Sequence, residues 1–173
     1  MTDSVDFRFL ETRNDFKQLE SFAASIWEQH YIPIIGANQV AFMLEKYQSA
    51  EAMFDQFLAG FKYAWVMSEG QKAGYFAFDL KVQKEVFISK LYIHKDFRRR
   101  GLGRRVLDFI AKEVQVLGCT KMSLSVNKDN SNSIQFYLSY GFQIIKAQKI
   151  AIGEGFYMDD YVMSYSLLDK KRT

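Results

Sequence analysis

The sequence predicts an α/β fold of the α+β kind: one domain with a mixed, mostly antiparallel central sheet of about seven strands flanked by helices. Three observations carry this. A strand followed by helices opens the chain, and two hairpins with glycine at the turn follow, across Glu69-Gly70-Gln71 and Gly153-Glu154-Gly155. Between them lies a strand, a basic glycine loop and a helix, running from Glu85 to Leu117. No repeat, low-complexity segment or linker interrupts the order, so residues 1–173 are expected to form a single domain.

Phe7 to Thr12 reads as the first strand. Asn14 is the expected cap of a helix to about Gln29, with Phe16, Leu19, Phe22, Ala23, Ile26 and Trp27 inward at helical spacing. His30 to Gly36 holds the chain's one proline, Pro33, and is expected to be an apolar loop. A helix from about Asn38 to Tyr47 and another from Ala50, capped by Ser49, complete the N-terminal third. Tyr63–Ser68 and Lys72–Lys81 read as a hairpin, and Val86–Ile93 as a buried strand. After it, Val106, Leu107, Ile110, Val114 and Leu117 share one helix face. Lys121–Val126 alternates Met122, Leu124 and Val126 inward, at strand period. A polar run then leads into a short helix that Gly141 ends, and Phe142–Ile152 with Tyr157–Leu167 form the last hairpin.

The central stretch has a physical use. The first turn of a helix presents backbone N–H groups without intrahelical partners, and the peptide dipoles place partial positive charge there. Glycines ahead of it let a ligand approach the backbone, which makes a cradle for a phosphate or pyrophosphate. Arg98, Arg99, Arg100, Arg104 and Arg105 flank it and suit further phosphate oxygens. The loop is not a dinucleotide fingerprint, since position 106 is Val, and not a P-loop, since Gly103 precedes Arg104-Arg105.

Arg98-x-x-Gly101-x-Gly103 after an apolar strand resembles the acetyl-CoA signature of the GCN5-related N-acetyltransferases. Asn127-x-x-Asn130-x-x-Ser133-Ile134-x-Phe136-Tyr137-x-x-x-Gly141-Phe142 looks like a second block of the same family, with Ser133 where alanine is common. The order of elements resembles that fold over nearly the whole chain. The resemblance implies that Arg98, Arg99, Arg100, Gly101, Leu102, Gly103 and Arg104 hold the cofactor's phosphates. It implies that the strand end Leu91, Tyr92 and Ile93 pairs through its backbone with pantetheine, and that Asn130, with Ser133 and Tyr137, contacts the same arm. Tyr137 would then be the general acid for the leaving thiolate. Its spacing from Ile134 suits core packing equally.

One position departs from the family. Where relatives carry a glutamate on the strand, this chain has Phe87. Glu85 lies two residues earlier and reads as a base or as a solvated charge at the strand edge. Glu28 and His30 are the other candidate bases, histidine having the intrinsic pKa best suited to the task. Trp27 to Gln39 resembles bacterial enzymes labelled diamine or polyamine acetyltransferases. Trp27 and Tyr31 would there receive an amine through cation–π contact, or else pack the helix on the sheet.

Composition narrows the rest. Hydrophobic residues are 49% and aromatics 16%, enough for a substantial core. The formal net charge of +3 is too mild to imply nucleic acid, and no aromatic platform interleaves with the arginines. Cys119 is the one cysteine, so no intramolecular disulfide forms, and His30 and His94 show no metal-ligand spacing. The N-terminus carries no basic and apolar signal region and no apolar run approaches a membrane span, so a cytoplasmic protein is expected. The expected activity is acetyl transfer from acetyl-CoA to a primary amine, on a diamine or other small molecule. A protein N-acetyltransferase and a non-catalytic acyl-CoA-binding module are the alternatives. No metal, nucleic-acid or membrane partner is expected, and a monomer and a homodimer both fit the sequence.

Overall fold

A computed structural model describes residues 4–81 and 84–168; Met1-Thr2-Asp3 and the basic run Lys170-Lys171-Arg172 lie outside the described residues. Among the described residues seven strands join one sheet in the order β1-β2-β3-β4-β5-β7-β6, with five α-helices. The strands are β1 (Val5–Phe9), β2 (Lys62–Ser68), β3 (Gln71–Lys81), β4 (Glu85–Ile93), β5 (Lys121–Asn127), β6 (Gln143–Gly153) and β7 (Phe156–Ser166). The helices are α1 (Arg13–Ile35), α2 (Ala37–Tyr47), α3 (Ala50–Leu58), α4 (Leu102–Val116) and α5 (Ser131–Tyr140). β4 and β5 pair in parallel. β1 with β2, β2 with β3, β5 with β7 and β6 with β7 are antiparallel. The mixed, mostly antiparallel sheet is the expected one.

Two compact units make up the chain: residues 1–78 with 90–106, and residues 79–89 with 107–173. In the first, α1, α2 and α3 come from one run of sequence. Phe16, Leu19, Ala23 and Ile26 of α1 are buried with Met53 of α3 and with Tyr63, Trp65, Tyr75 and Ala77 of the sheet. Aromatic edges set the spacing: Phe16 meets Tyr63 at 5.2 Å and Phe22 meets Trp65 at 5.2 Å between ring centroids.

Two local expectations change. The N-cap of α1 is Thr12, whose hydroxyl accepts from Asp15 N–H while the Asp15 carboxylate accepts from Thr12 N–H. Asn14 is displaced because this reciprocal box satisfies two backbone donors at once. α1 also runs through His30–Ile35, where a loop is expected. Pro33 removes one N–H close to the helix end, and Gly36, at φ +84°, terminates the helix by donating to Ile32.

In the second unit, Leu107, Ile110, Ala111 and Val114 of α4 are buried, as are Met122, Leu124 and Val126 of β5 and Met163 of β7. The Tyr140 hydroxyl of α5 donates to Asp108 of α4 at 2.8 Å, and the Tyr140 and Phe142 rings lie 5.1 and 5.4 Å from Tyr165. Gly141 ends α5 at φ +119°; a Cβ there would meet the Tyr165 ring at 3.0 Å, so both backbone and space select glycine. No described helix is long and apolar enough to cross a membrane.

Candidate active site

The expected cradle lies in the first unit. β4 ends at Ile93, a short 3-10 turn follows over Lys95–Phe97, and α4 begins at Leu102. The first helical bond of α4 runs from Arg105 N–H to the Gly101 carbonyl at 3.1 Å, which places the Leu102 and Gly103 N–H groups in the turn before that bond. α4 has no acidic residue in this turn, whereas α1 starts with Asp15 and α3 with Glu51. No acidic side chain of its own first turn therefore offsets its dipole, a state that suits an external anion. Gly101 stands at φ +75° with nothing within 4 Å of a would-be Cβ, so its missing side chain keeps open space in front of the loop.

The loop is braced by its own arginines. Arg98 Nε donates to the Ile93 carbonyl at 3.0 Å, and Arg100 donates to the Asp96 carbonyl at 3.1 Å while its guanidinium covers the Phe97 ring at 5.2 Å. Arg99 takes a positive φ of 62°, unusual for a residue with a side chain. Arg98, Arg99, Arg100, Arg104 and Arg105 are all exposed. Ahead of the loop, Gly74 of β3 lies against the Tyr92 carbonyl and Ile93, so closely that a Cβ at position 74 would overlap that backbone. Glycine therefore shapes the strand end from the neighbouring strand as well as from the loop.

The same unit holds Trp27, Glu28, His30 and Tyr31 in the last turns of α1. Trp27 is buried, 4.4 Å from the Tyr31 ring and 5.6 Å from the Tyr92 ring, and His30 lies edge-on to Tyr31 at 4.7 Å. The Trp27 indole N–H makes no hydrogen bond of good geometry. It nonetheless faces the Tyr75 hydroxyl closely enough to offset part of the upward push that burial gives that phenol. Glu28 is exposed and His30 half-buried. Sequence reasoning missed Lys90. It is buried on β4, donates to Gln56 Oε1 at 3.0 Å, and has an amine pushed down to about 7 by burial. The only signal was a lysine standing amid alternating apolar residues.

The second unit holds Glu85, Asn130, Ser133 and Tyr137. Glu85 accepts from the Ser123 hydroxyl at 2.5 Å and pairs with Lys121 at 3.1 Å, so this carboxylate is engaged along the sheet. Asn130 is buried at the N-cap of α5; its N–H donates to Asn127 and its carbonyl accepts from Ile134. Tyr137 is 8% exposed, its ring 5.1 Å from Phe136 and 5.6 Å from Phe142. Its carbonyl accepts from Gly141 and Phe142 N–H, which anchors the helix end directly below it. The parallel ladder of β4 and β5 stops at Ile88 and Leu124, although β4 runs on to Ile93 and β5 to Asn127.

Known proteins bear on this arrangement in three ways. A ribosomal protein bS18-alanine N-acetyltransferase of Salmonella typhimurium is 34% identical over 67 residues, 39% of this chain and 45% of the relative. Its Escherichia coli K12 counterpart is 29% identical over 76 residues, 44% of this chain and 51% of the relative. The aligned segment thus spans about half the length of the curated relatives it matches. The fold is shared with the PaiA N-acetyltransferase of Thermoplasma acidophilum, solved with coenzyme A: TM-score 0.78, 17% identity, 94% of this chain and 99% of that one. The ribosomal-protein-S18-alanine N-acetyltransferase of Escherichia coli shares it at TM-score 0.68, 18% identity, 95% and 94% coverage. The match that decides the family runs through residues 20–142, from α1 through the glycine loop to the end of α5, and by it the chain belongs to the Acetyltransferase (GNAT) family.

Proposed function

We propose that this protein is an acetyl-CoA-dependent N-acetyltransferase that moves the acetyl group to a primary amine by direct attack in a ternary complex. The observation that carries this reading is the acid-free, glycine-opened start of α4, with exposed arginines around it. Acetyl-CoA supplies the activated thioester and a pyrophosphate of matching charge. Gly101, Leu102 and Gly103 would meet the pyrophosphate through backbone N–H groups, and Arg98, Arg99, Arg100 and Arg104 would add charge. The backbone of Leu91, Tyr92 and Ile93 would take the pantetheine arm as an added strand, with Asn130 and Ser133 supporting it. Tyr137 would protonate the departing thiolate.

Two acceptor classes are compatible with the family. A small amine or diamine suits the aromatic end of α1, where Trp27 and Tyr31 stack. A protein N-terminal amine is favoured by the bS18-alanine relatives. A cytoplasmic location agrees with a free, buried Cys119. Coenzyme A release, followed by thiol titration with butane-1,4-diamine, spermidine and an N-terminal alanine peptide as acceptors, tests the proposal. Acceptor-dependent release supports it and ranks the classes. Tight acetyl-CoA binding with no acceptor dependence would make the chain an acyl-CoA-binding module.

A further inference from the structure

Asp160 is the unusual carboxylate of the second unit. The β5–β7 register sets it across from Asn127, the last residue of β5, and the β6–β7 register sets it across from Gln148. Paired residues share a sheet face, so Asp160, Asn127 and Gln148 lie on one side, with Ser125 beside them. These polar neighbours are engaged with other groups. Gln148 Nε2 donates to the Ser125 hydroxyl at 3.4 Å, and Asn127 Oδ1 accepts from Asp129 N–H at 2.8 Å. Asp160 is only 8% exposed, and no side-chain hydrogen bond or ion pair engages its carboxylate among the described residues. A carboxylate drawn this far from water, with no ion pair of its own, holds a proton more readily than a solvated one.

Its register partner leads into α5. Asn127 opens the turn that closes at Asn130, the N-cap of α5, and Tyr137 stands about two helical turns further on. β5 reaches Asn127 beyond the point where its ladder with β4 has ended. We infer that Asp160 is the proton acceptor for the incoming amine, filling the role that Phe87 cannot. The inference rests on the acetyltransferase reading above.

The charges around Asp160 are few. Asp159 precedes it on β7 and pairs with Lys128, which lies over the Tyr161 ring at 5.7 Å; β6 presents the neutral Gln148 opposite. Burial raises the Asp160 pKa, Asp159 raises it further and Lys128 lowers it, leaving it at about 6. A carboxylate so placed is ionised at neutral pH yet basic enough to take a proton.

The step balances. Asp160 takes one proton from the ammonium, the freed nitrogen pair forms the C–N bond to the acetyl carbon, and collapse breaks the C–S bond with its pair leaving on sulfur. The thiolate takes a proton from Tyr137, which is replenished through solvent by the second nitrogen proton. One proton is released to solvent per turnover when Asp160 resets.

The test pairs kinetics with a direct titration. Asp160→Asn should lower kcat by about 10²–10⁴-fold, remove the acidic limb near the Asp160 pKa, and leave calorimetric acetyl-CoA affinity unchanged. Wild-type kcat with the limb intact overturns the inference while leaving the acetyltransferase reading standing. Absence of acceptor-dependent release in the wild type faults that reading instead. In either case the Asp160 carboxyl is followed by carbon NMR in aspartate-labelled wild-type protein, with butane-1,4-diamine or an N-terminal alanine peptide added. A nearby ammonium should pull its titration to lower pH, and a titration that both amines leave unmoved overturns the inference.

Discussion

The Lys90 amine donates to Gln56 Oε1 at 3.0 Å inside the first unit, and the Tyr63 hydroxyl donates to the same oxygen. The amine also lies 5.6 Å from the centre of the Tyr63 ring. No carboxylate pairs with it among the described residues, and burial lowers its pKa to about 7. In the unfolded chain a lysine titrates near about 10.4. Between these values the unfolded state holds a proton that the folded state has released, so stability must rise with pH across that window. Urea unfolding of the wild type from about pH 7 to about pH 10 should show this rise, and Lys90→Met should flatten it. Equal slopes in both proteins would mean that Lys90 keeps its proton on folding.

Gly74 and Tyr92 make the second test. A Cβ at position 74 overlaps the Tyr92 carbonyl and the Ile93 backbone, so β4 must move to admit it. Gly74→Ala should cost about 1–3 kcal/mol of stability, the usual range for overpacking. If the end of β4 receives pantetheine, acetyl-CoA affinity should fall further than the stability loss explains. Calorimetric titration of the folded variant with affinity unchanged would detach the strand end from cofactor binding.

Gly101 separates backbone strain from ligand space. At φ +75° a side chain costs about 1–2 kcal/mol, but the space around it is open. Gly101→Val should therefore fold, with a modest drop in thermal midpoint, and lose coenzyme A binding. Binding at wild-type affinity would place the pyrophosphate elsewhere.

Tyr137→Phe retains the ring contacts to Phe136 and Phe142 and removes the hydroxyl alone. With the phenol as general acid, turnover should drop by about 10²–10⁴-fold at nearly unchanged acetyl-CoA affinity. Wild-type turnover in a variant of wild-type thermal stability would leave Tyr137 as a packing residue.

The elements were legible because their signals are local. Apolar periodicity located α4 from Val106, Leu107, Ile110 and Val114, and alternation located β5 from Met122, Leu124 and Val126. Arg98, Gly101 and Gly103 mark the candidate cradle in the sequence because helix start, glycine freedom and charge all fall within one short segment. α1 runs past Pro33, where the sequence predicts a loop, because packing of its buried face holds the helix despite one lost backbone bond, and Gly36 supplies the stop. What the tertiary structure alone decided are pairings between distant segments. Glu85 is engaged by Ser123 and Lys121, Gly74 is fitted to Tyr92, Lys90 is buried beside Gln56 of α3, and Asp160 is buried opposite Asn127. Each depends on which strand lies beside which and in what register. Burial then sets the protonation of Lys90 and Asp160, because a charge loses its water only when the chain has closed around it.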